Sequence, residues 1–311
     1  MPYRKKKHKR KKSSKLFLSF LGIIALALGL AYFLNLQTTK QYSDSSLDGS
    51  EIAEETQTTI PPDVWQNIQK QRQVLGVATN HNASISVKVP ILMYHYVEYV
   101  QDAGDKTRIS LNTTPDTLDS EIKTLSDAGY TFLTARELTA IINGKIKLPV
   151  KPVVLTFDDG YRDFYTDAYP ILKKYHAKAT QYVISGFLGL ANHLTVEQLK
   201  EIAKDGLVEI GAHTVHHVWL KGQSAENVAY ETEQSRKQLE DLIQMPVVSF
   251  AYPFGAFDQQ ALDLVQKAGY SSAVSTIPGV EGSKENEFFL YRLRPGGRTG
   301  EDLLAWLDTQ E

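Results

Sequence analysis

From about Ser84 to the C-terminus, short apolar runs alternate with segments whose apolar residues recur every three or four positions. A run bounded by turn residues predicts a buried strand, and the 3.6-residue period predicts an amphipathic helix. "SISVKVPILMYH" predicts a strand with a buried continuation. Thr114-Pro115 opens a helix through Ala128, with Pro in its first position and Gly129 past its end. "YTFLT" predicts a strand and "ARELTAIINGK" a helix; "KPVVLTFDDG" has the continuous apolar run of a strand buried on both faces. "DFYTDAYPILKKYH" predicts a helix and "KATQYVI" a strand. Thr195 then begins a helix with a capping-box start at Gln198 and a stop at Gly206. "LVEIGAHT", "VVSFAYP" and "YSSAVST" predict further strands, interleaved with helices "SAENVAYETEQSRKQLEDLI" and "DQQALDLVQKAG", and "EDLLAWLDTQ" closes the chain. This alternation implies an α/β fold: a parallel sheet with helices outside it, open or closed into a barrel. Ligand sites in such folds gather at the carboxyl ends of strands, where Asp158-Asp159, His213 and Tyr252-Pro253 fall.

The first 87 residues read differently. Residues 1–15 hold nine Lys/Arg and no acid, which predicts a basic cytoplasmic tail. Leu16–Leu34 is a 19-residue apolar run with Ser19 its one clearly polar member. As a helix it spans roughly 29 Å, about one hydrocarbon thickness, so residues 16–36 are expected to be a transmembrane signal-anchor. A cleaved leader is the competing reading, but the run exceeds a usual leader core and no A-x-A-like site follows. The expected location is therefore the cell membrane, single-pass, with the bulk of the chain extracytoplasmic. Residues 37–62 are polar and Ser/Thr/Glu-rich, the composition of a flexible linker. Residues 63–87 are a lead-in with helical spacing at Val64, Ile68 and Leu75, and 88–311 are expected to form the main folded domain.

Charge and cysteine usage narrow the chemistry. Beyond the head the chain carries 25 basic against 36 acidic residues, which argues against nucleic acid as a partner of the body. There is no cysteine, so disulfides and thiolate chemistry are excluded and a metal site would use His and carboxylate. Asp158 and Asp159 are adjacent carboxylates at a strand end, needing a cation or a shared proton, or else they form an ordinary Asp-Asp-Gly turn. His213 and His217 lie four apart after a strand, with His216 expected to be a spare, exposed residue. Two neutral imidazoles and one carboxylate with open positions suit Zn²⁺ or another first-row divalent ion.

"TFDDG", then "H-T-x-x-H" about 55 residues later, then "F-x-x-P-F-G" is similar to the NodB-homology polysaccharide deacetylases, the family-4 carbohydrate esterases, over about residues 88–305. The resemblance implies an irregular (β/α)7-type barrel and metal-dependent removal of acetyl groups from a glycan. It implies Asp159, His213 and His217 as ligands of a divalent metal, Zn²⁺ foremost, with Co²⁺ or Ni²⁺ as others that fit. Asp158 would be the general base and the Phe254 backbone N–H an oxyanion donor. Two departures stand out: Ala251 where many relatives carry the Arg that orients the base, and no histidine after Phe250 to supply the general acid. "VPILMYHYV" at Val89–Val97 resembles the branch with the poly-N-acetylglucosamine deacetylases, whose acid comes from the N-terminal strand, which implies His95. "LYRLRPGG" offers Arg292 or Arg294 for base orientation, and Tyr161 and Tyr252 either line a sugar groove or pack the barrel. The expected substrate is an N-acetylglucosamine-containing cell-surface polysaccharide, of the poly-N-acetylglucosamine or peptidoglycan type. An O-deacetylase and a glycan-binding barrel without catalysis are the alternatives.

Overall fold

The computed structural model of the chain describes residues 61–64, 66 and 86–310. The chain divides into two units, Met1–Glu54 and Glu55–Glu311, and every described residue belongs to the second. The basic tail, the anchor at 16–36, nearly all of the linker and most of the lead-in lie outside the described residues. Among the described residues no helix is long and apolar enough to cross a membrane.

The apolar runs become strands β1 (Val87–Lys88), β2 (Ile91–Tyr94), β3 (Thr131–Leu133), β4 (Pro152–Phe157), β5 (Ala179–Val183), β6 (Val208–Ala212), β7 (Ser249–Ala251), β8 (Ser272–Val274) and β9 (Glu281–Gly282). β1 and β9 form a small antiparallel pair. The others build a seven-stranded sheet in the order β2-β4-β5-β6-β7-β8, with β3 also on β4, all pairs parallel. Residues 290–293 span its two edges through single bridges, Val274 to Leu290 and Leu92 to Leu293. Leu293 exchanges backbone hydrogen bonds with β2: its N–H donates to Ile91 (2.8 Å) and its carbonyl accepts from Met93 (2.9 Å). The ring of strands is thus completed by a segment too short and irregular to read as a strand.

Helices α1 (Lys106–Leu111), α2 (Pro115–Asp127), α3 (Ala135–Ile142), α4 (Tyr169–Tyr175), α5 (Val196–Asp205), α6 (Ala225–Ile243), α7 (Gln259–Lys267) and α8 (Gly300–Asp308) complete the described elements. The caps read from sequence are formed: the Thr114 side chain accepts from Thr117 N–H at the start of α2, and Thr195 with Gln198 closes a capping box on α5. The expected helix from Asp163 differs. Its first part, Phe164–Ala168, is a π-helical turn, and α4 follows with Pro170 near its start. Proline has no N–H to donate and its ring crowds the preceding turn, so a regular helix cannot run through it.

Strand parity sorts the side chains. Leu92, Tyr94, Leu155, Phe157, Ile210, Ala212, Phe250 and Ala273 face the main core under the helices, with Leu118, Leu172, Leu199, Val228 and Val265. Ile91, Val154, Tyr182, Ala251 and Val274 occupy a second, smaller core on the other face. Successive strand residues alternate between faces, so Asp158, His95 and His213, one step past their strands, continue the second, inner face.

One buried acid tests the packing behind this face. Glu121 of α2 accepts a hydrogen bond from the Tyr94 hydroxyl at 2.9 Å, and its Oε1 has no partner. Burial pushes its pKa from the ordinary 4.5 to about 8, against the pull of the Tyr94 bond. Because the folded value lies above the unfolded one, its stabilising contribution is full below the unfolded value and is lost as pH rises towards about 8. Glu121→Gln should flatten the fall in Tm across that range. A Tm–pH slope identical to that of the parent chain would contradict this.

Candidate active site

The polar residues at the carboxyl ends of β2, β4 and β6 converge on one point. Asp158 continues the inner face of β4, and its neighbour should point the opposite way. Asp159 instead adopts φ 73°, in the left-handed region, and this reversal turns its carboxylate towards the same site. Gly160 follows at φ 72°, where a Cβ would press on Val183 at 3.2 Å. Thr214 (φ 64°), His217 (φ 55°) and Phe254 (φ 58°) are left-handed as well. Backbone in these regions persists only where its surroundings over-determine it.

Those surroundings are visible for the His213–His217 loop. The Thr214 hydroxyl donates to the His213 carbonyl (2.6 Å) and accepts from the His217 N–H (2.9 Å). Glu231 of α6, wholly buried, accepts from the N–H groups of Val215 (2.9 Å) and His216 (3.0 Å) through one oxygen. Its other oxygen pairs with His216 Nδ1 at 2.7 Å. His216 is therefore not a spare exposed residue; it helps anchor the loop to α6. Ser235, one turn on, donates to the Thr214 carbonyl at 2.9 Å. Sequence reasoning passed over Glu231 among the acids of α6. The signal was its period: Val228, Glu231, Thr232, Ser235 and Leu239 share the buried stripe.

Asp159, His213 and His217 offer ligand atoms within 4.8 Å of one another, the one such trio among the described residues. Nε2 of each histidine lies 3.2 Å from Asp159 Oδ1. That oxygen is buried and accepts no hydrogen bond. His213 Nδ1 lies 2.8 Å from the Ala251 carbonyl, so the proton sits on Nδ1 and Nε2 turns a lone pair to the centre. Acceptor atoms this close to one another call for a cation or a shared proton between them. Burial works against charge on His213, yet Asp159 and Asp158 outweigh it and raise its pKa, so the local field favours a positive charge here. Burial likewise opposes ionisation of Asp159, but His217 and His213 hold its pKa well below the ordinary value. The donor set and the orphaned oxygen fit a divalent ion of the zinc type.

Asp158 faces a different partner. Arg292, the largest fully buried side chain, forks onto both of its oxygens at 2.8 and 2.7 Å. The same guanidinium donates to the Ser275 carbonyl (2.7 Å) and the Thr156 hydroxyl (3.2 Å). Burial alone would raise the Asp158 pKa; the Arg292 charge outweighs it and holds the carboxyl below its usual range. Arg294 does not take this position. It is exposed and lies past the Leu293 bridge, and both oxygens of Asp158 are already engaged. His95 Nε2 stands 3.9 Å from Asp158 Oδ2, with its side chain partly buried. Burial lowers the His95 pKa from 6.5 to about 4, against the pull of Asp158 and Asp159.

Aromatic residues flank the centre. The Phe254 ring lies 4.6 Å from that of His217 and stacks on Trp219 at 5.3 Å. Phe254 sits in a tight turn, Pro253–Gly255, where a Cβ on Gly255 would collide with the Thr276 hydroxyl at 2.0 Å. Tyr161 is partly exposed and stacks on Tyr96 at 4.0 Å, their hydroxyls 2.6 Å apart. Tyr252 cannot line a groove. It shares the parity of Phe250, is fully buried, and stacks on Phe257 at 4.7 Å under the helices.

Comparison with known proteins places the chain in a family. A family model described as polysaccharide deacetylase matches residues 145–273, a stretch holding Asp158, Asp159, His213 and His217. YxkH of Bacillus subtilis (strain 168), a protein assigned to the polysaccharide deacetylases, is 34% identical over 225 residues, covering 72% of this chain and 77% of that one. The poly-β-1,6-N-acetyl-D-glucosamine N-deacetylase of Staphylococcus aureus (strain N315) is 30% identical over 188 residues, 56% of this chain and 64% of its own length. The deacetylase PplD of Streptococcus pyogenes, solved in complex with acetate, superposes with a TM-score of 0.66 at 33% identity, over 73% of this chain and 100% of that one. The chain belongs to the polysaccharide deacetylase family.

Proposed function

We propose that the chain is a metal-dependent hydrolase that removes N-acetyl groups from a polymer containing N-acetylglucosamine. The observation that carries this reading is the pairing of two unlike carboxylates: Asp159 among two imidazole nitrogens, and Asp158 in the fork of Arg292. A divalent cation held by Asp159, His213 and His217 would supply Lewis-acid activation of water and of the acetyl carbonyl. Asp158, kept ionised and aimed by Arg292, removes a proton from the water as its oxygen adds to the acetyl carbon. The Phe254 N–H, fixed by its left-handed turn, serves the developing oxyanion. Collapse breaks the C–N bond, giving acetate and a free amine once the nitrogen has taken up a proton. His95 starts neutral, so it acts as a relay for the proton gained by Asp158 rather than as a preformed acid. The substrate class is supported by the staphylococcal relative, whose name gives poly-β-1,6-N-acetyl-D-glucosamine. The basic head and the apolar run at Leu16–Leu34 support attachment to a membrane with the deacetylase unit on its outer side.

The neutral ground state of His95 also favours a second reading, an O-deacetylase, because an alkoxide leaves with less help from an acid. One assay separates the two and tests the first. Acetate release by the full-length chain is measured on β-1,6- and β-1,4-linked N-acetylglucosamine oligomers and on an O-acetylated xylo-oligosaccharide. Release from the amino-sugar oligomers should cease with chelator and return with Zn²⁺, Co²⁺ or Ni²⁺. Release from the xylo-oligosaccharide alone would replace the N-deacetylase by the esterase. Glycan binding with no acetate from any substrate, under any of these metals, would mark a non-catalytic barrel.

A further inference from the structure

Beside the Asp159 trio stands a histidine that none of the motifs contains. His193 lies on the loop between the turn at Ser185–Phe187 and α5. The loop is pinned to the β4 turn: Arg162 N–H donates to the Asn192 carbonyl (2.8 Å), and Leu194 N–H to the Gly160 carbonyl (2.9 Å). Tyr161 and His193 form an antiparallel bridge across this junction. The imidazole packs between Tyr161 at 5.1 Å and Phe187 at 5.2 Å, so Tyr96, Tyr161 and His193 make one row of rings. Its Nδ1 is buried and has no partner. A buried N–H left without an acceptor is costly, so the proton resides on Nε2, the donor this ring leaves open. Burial lowers its pKa, and the loop's bonds to Gly160 and Arg162 set it beside the turn that carries Asp159.

We propose that His193 is a substrate-positioning residue whose Nε2–H donates to an oxygen of the glycan, a hydroxyl or ring oxygen, while the Tyr161–Tyr96 row flanks the sugar. The ring is held on both sides by aromatic contacts and by a loop tied to the turn that carries Asp159, so its donor is fixed before substrate arrives. A fixed donor on a polyhydroxylated ligand gives orientation, because a sugar that presents the wrong oxygen leaves the donor unpaired. This assignment rests on the reading of the chain as a glycan deacetylase.

Three variants of the full-length chain, loaded with Zn²⁺, separate the donor from the stack: His193→Phe keeps a ring without a donor, His193→Gln keeps a donor without a ring, and His193→Ala has neither. On a β-1,6-linked N-acetylglucosamine oligomer, His193→Phe should raise KM about tenfold, the usual scale of one lost hydrogen bond, with a smaller change in kcat. His193→Gln should recover most of that loss, and His193→Ala should be at least as impaired as His193→Phe. Zn²⁺ affinity, from competition with a chromophoric chelator, should stay within about twofold, since ligand removal or disturbance costs more. Oligomer binding to the Asp158→Asn background, by calorimetry, should weaken by the same factor when His193→Phe is added. A KM and a binding constant unmoved by His193→Phe would overturn the proposal while leaving the deacetylase reading intact. Loss of Zn²⁺ in all three variants would show instead that His193 supports the trio. An active chain without measurable preference between His193→Phe and His193→Gln would reduce it to packing. A parent chain that neither binds nor deacetylates the oligomer would end both readings together.

Discussion

Asp158→Asn should lower acetate release by about 10²–10⁴-fold, the range supplied by a positioned proton acceptor, while leaving cation affinity close to that of the parent chain. The two effects separate because Asp158 and Asp159 do different work although they are neighbours. Asp159 shares its oxygen with two imidazole nitrogens at 3.2 Å, whereas both oxygens of Asp158 go to Arg292. Asparagine keeps the size of the side chain and can still accept one hydrogen bond from Arg292, but it cannot take a proton from water. Zn²⁺ affinity by chelator competition and turnover on the oligomer therefore form the test. Full turnover would remove Asp158 from its role as base. Loss of the cation along with turnover would show that Asp158 is a ligand.

Arg292→Met should destabilise the protein by roughly 3–5 kcal/mol, because it leaves a buried carboxylate without its countercharge. For a domain of this size that is a drop of the order of 10 °C in Tm. The Ser275 carbonyl and the Thr156 hydroxyl lose a donor as well. Adding Asp158→Asn to Arg292→Met removes the unpaired charge, so the double variant should melt above Arg292→Met alone. A non-additive cycle of this kind is the signature of direct coupling. Arg292→Lys is expected to restore the charge but not the two-pronged geometry, and so to recover stability better than activity. Equal Tm values for Arg292→Met and the double variant would show that the pair is not coupled.

The parts of this site that were legible in the sequence are local ones. "TFDDG" and "HTVHH" each hold their chemistry within five residues, and strand–helix alternation says which end of the sheet they occupy. What stays open or unseen in the sequence are positions whose fate depends on a distant partner. Arg292 and Arg294 are two apart and look alike in "LYRLRPGG"; with Leu293 paired to β2, Arg292 is the one that reaches Asp158. Tyr252, for which groove and core both stand open in the sequence, falls in the core by the parity it shares with Phe250. The helix at Lys106–Leu111 was missed because none of its residues is buried, which leaves no apolar stripe to detect. His193, in the string "LANHL", has no local feature that distinguishes it from a surface histidine. Its neighbours Tyr161 and Phe187 become neighbours only through the fold.

The short segment at 290–293 that spans β8 and β2 sets a condition on when the enzyme exists at all. On a growing chain every proposed cation ligand, the base and the proton relay are made before Arg292. Until that last segment docks, Asp158 has no countercharge, and the sheet cannot close over it without stranding a buried anion. A chain cut short before Arg292, or nicked within the segment, would keep all three of those ligands and still lack a poised base. On the proposed reading, acetate release would therefore depend on completion of the polypeptide through Arg292, although every proposed cation ligand precedes it.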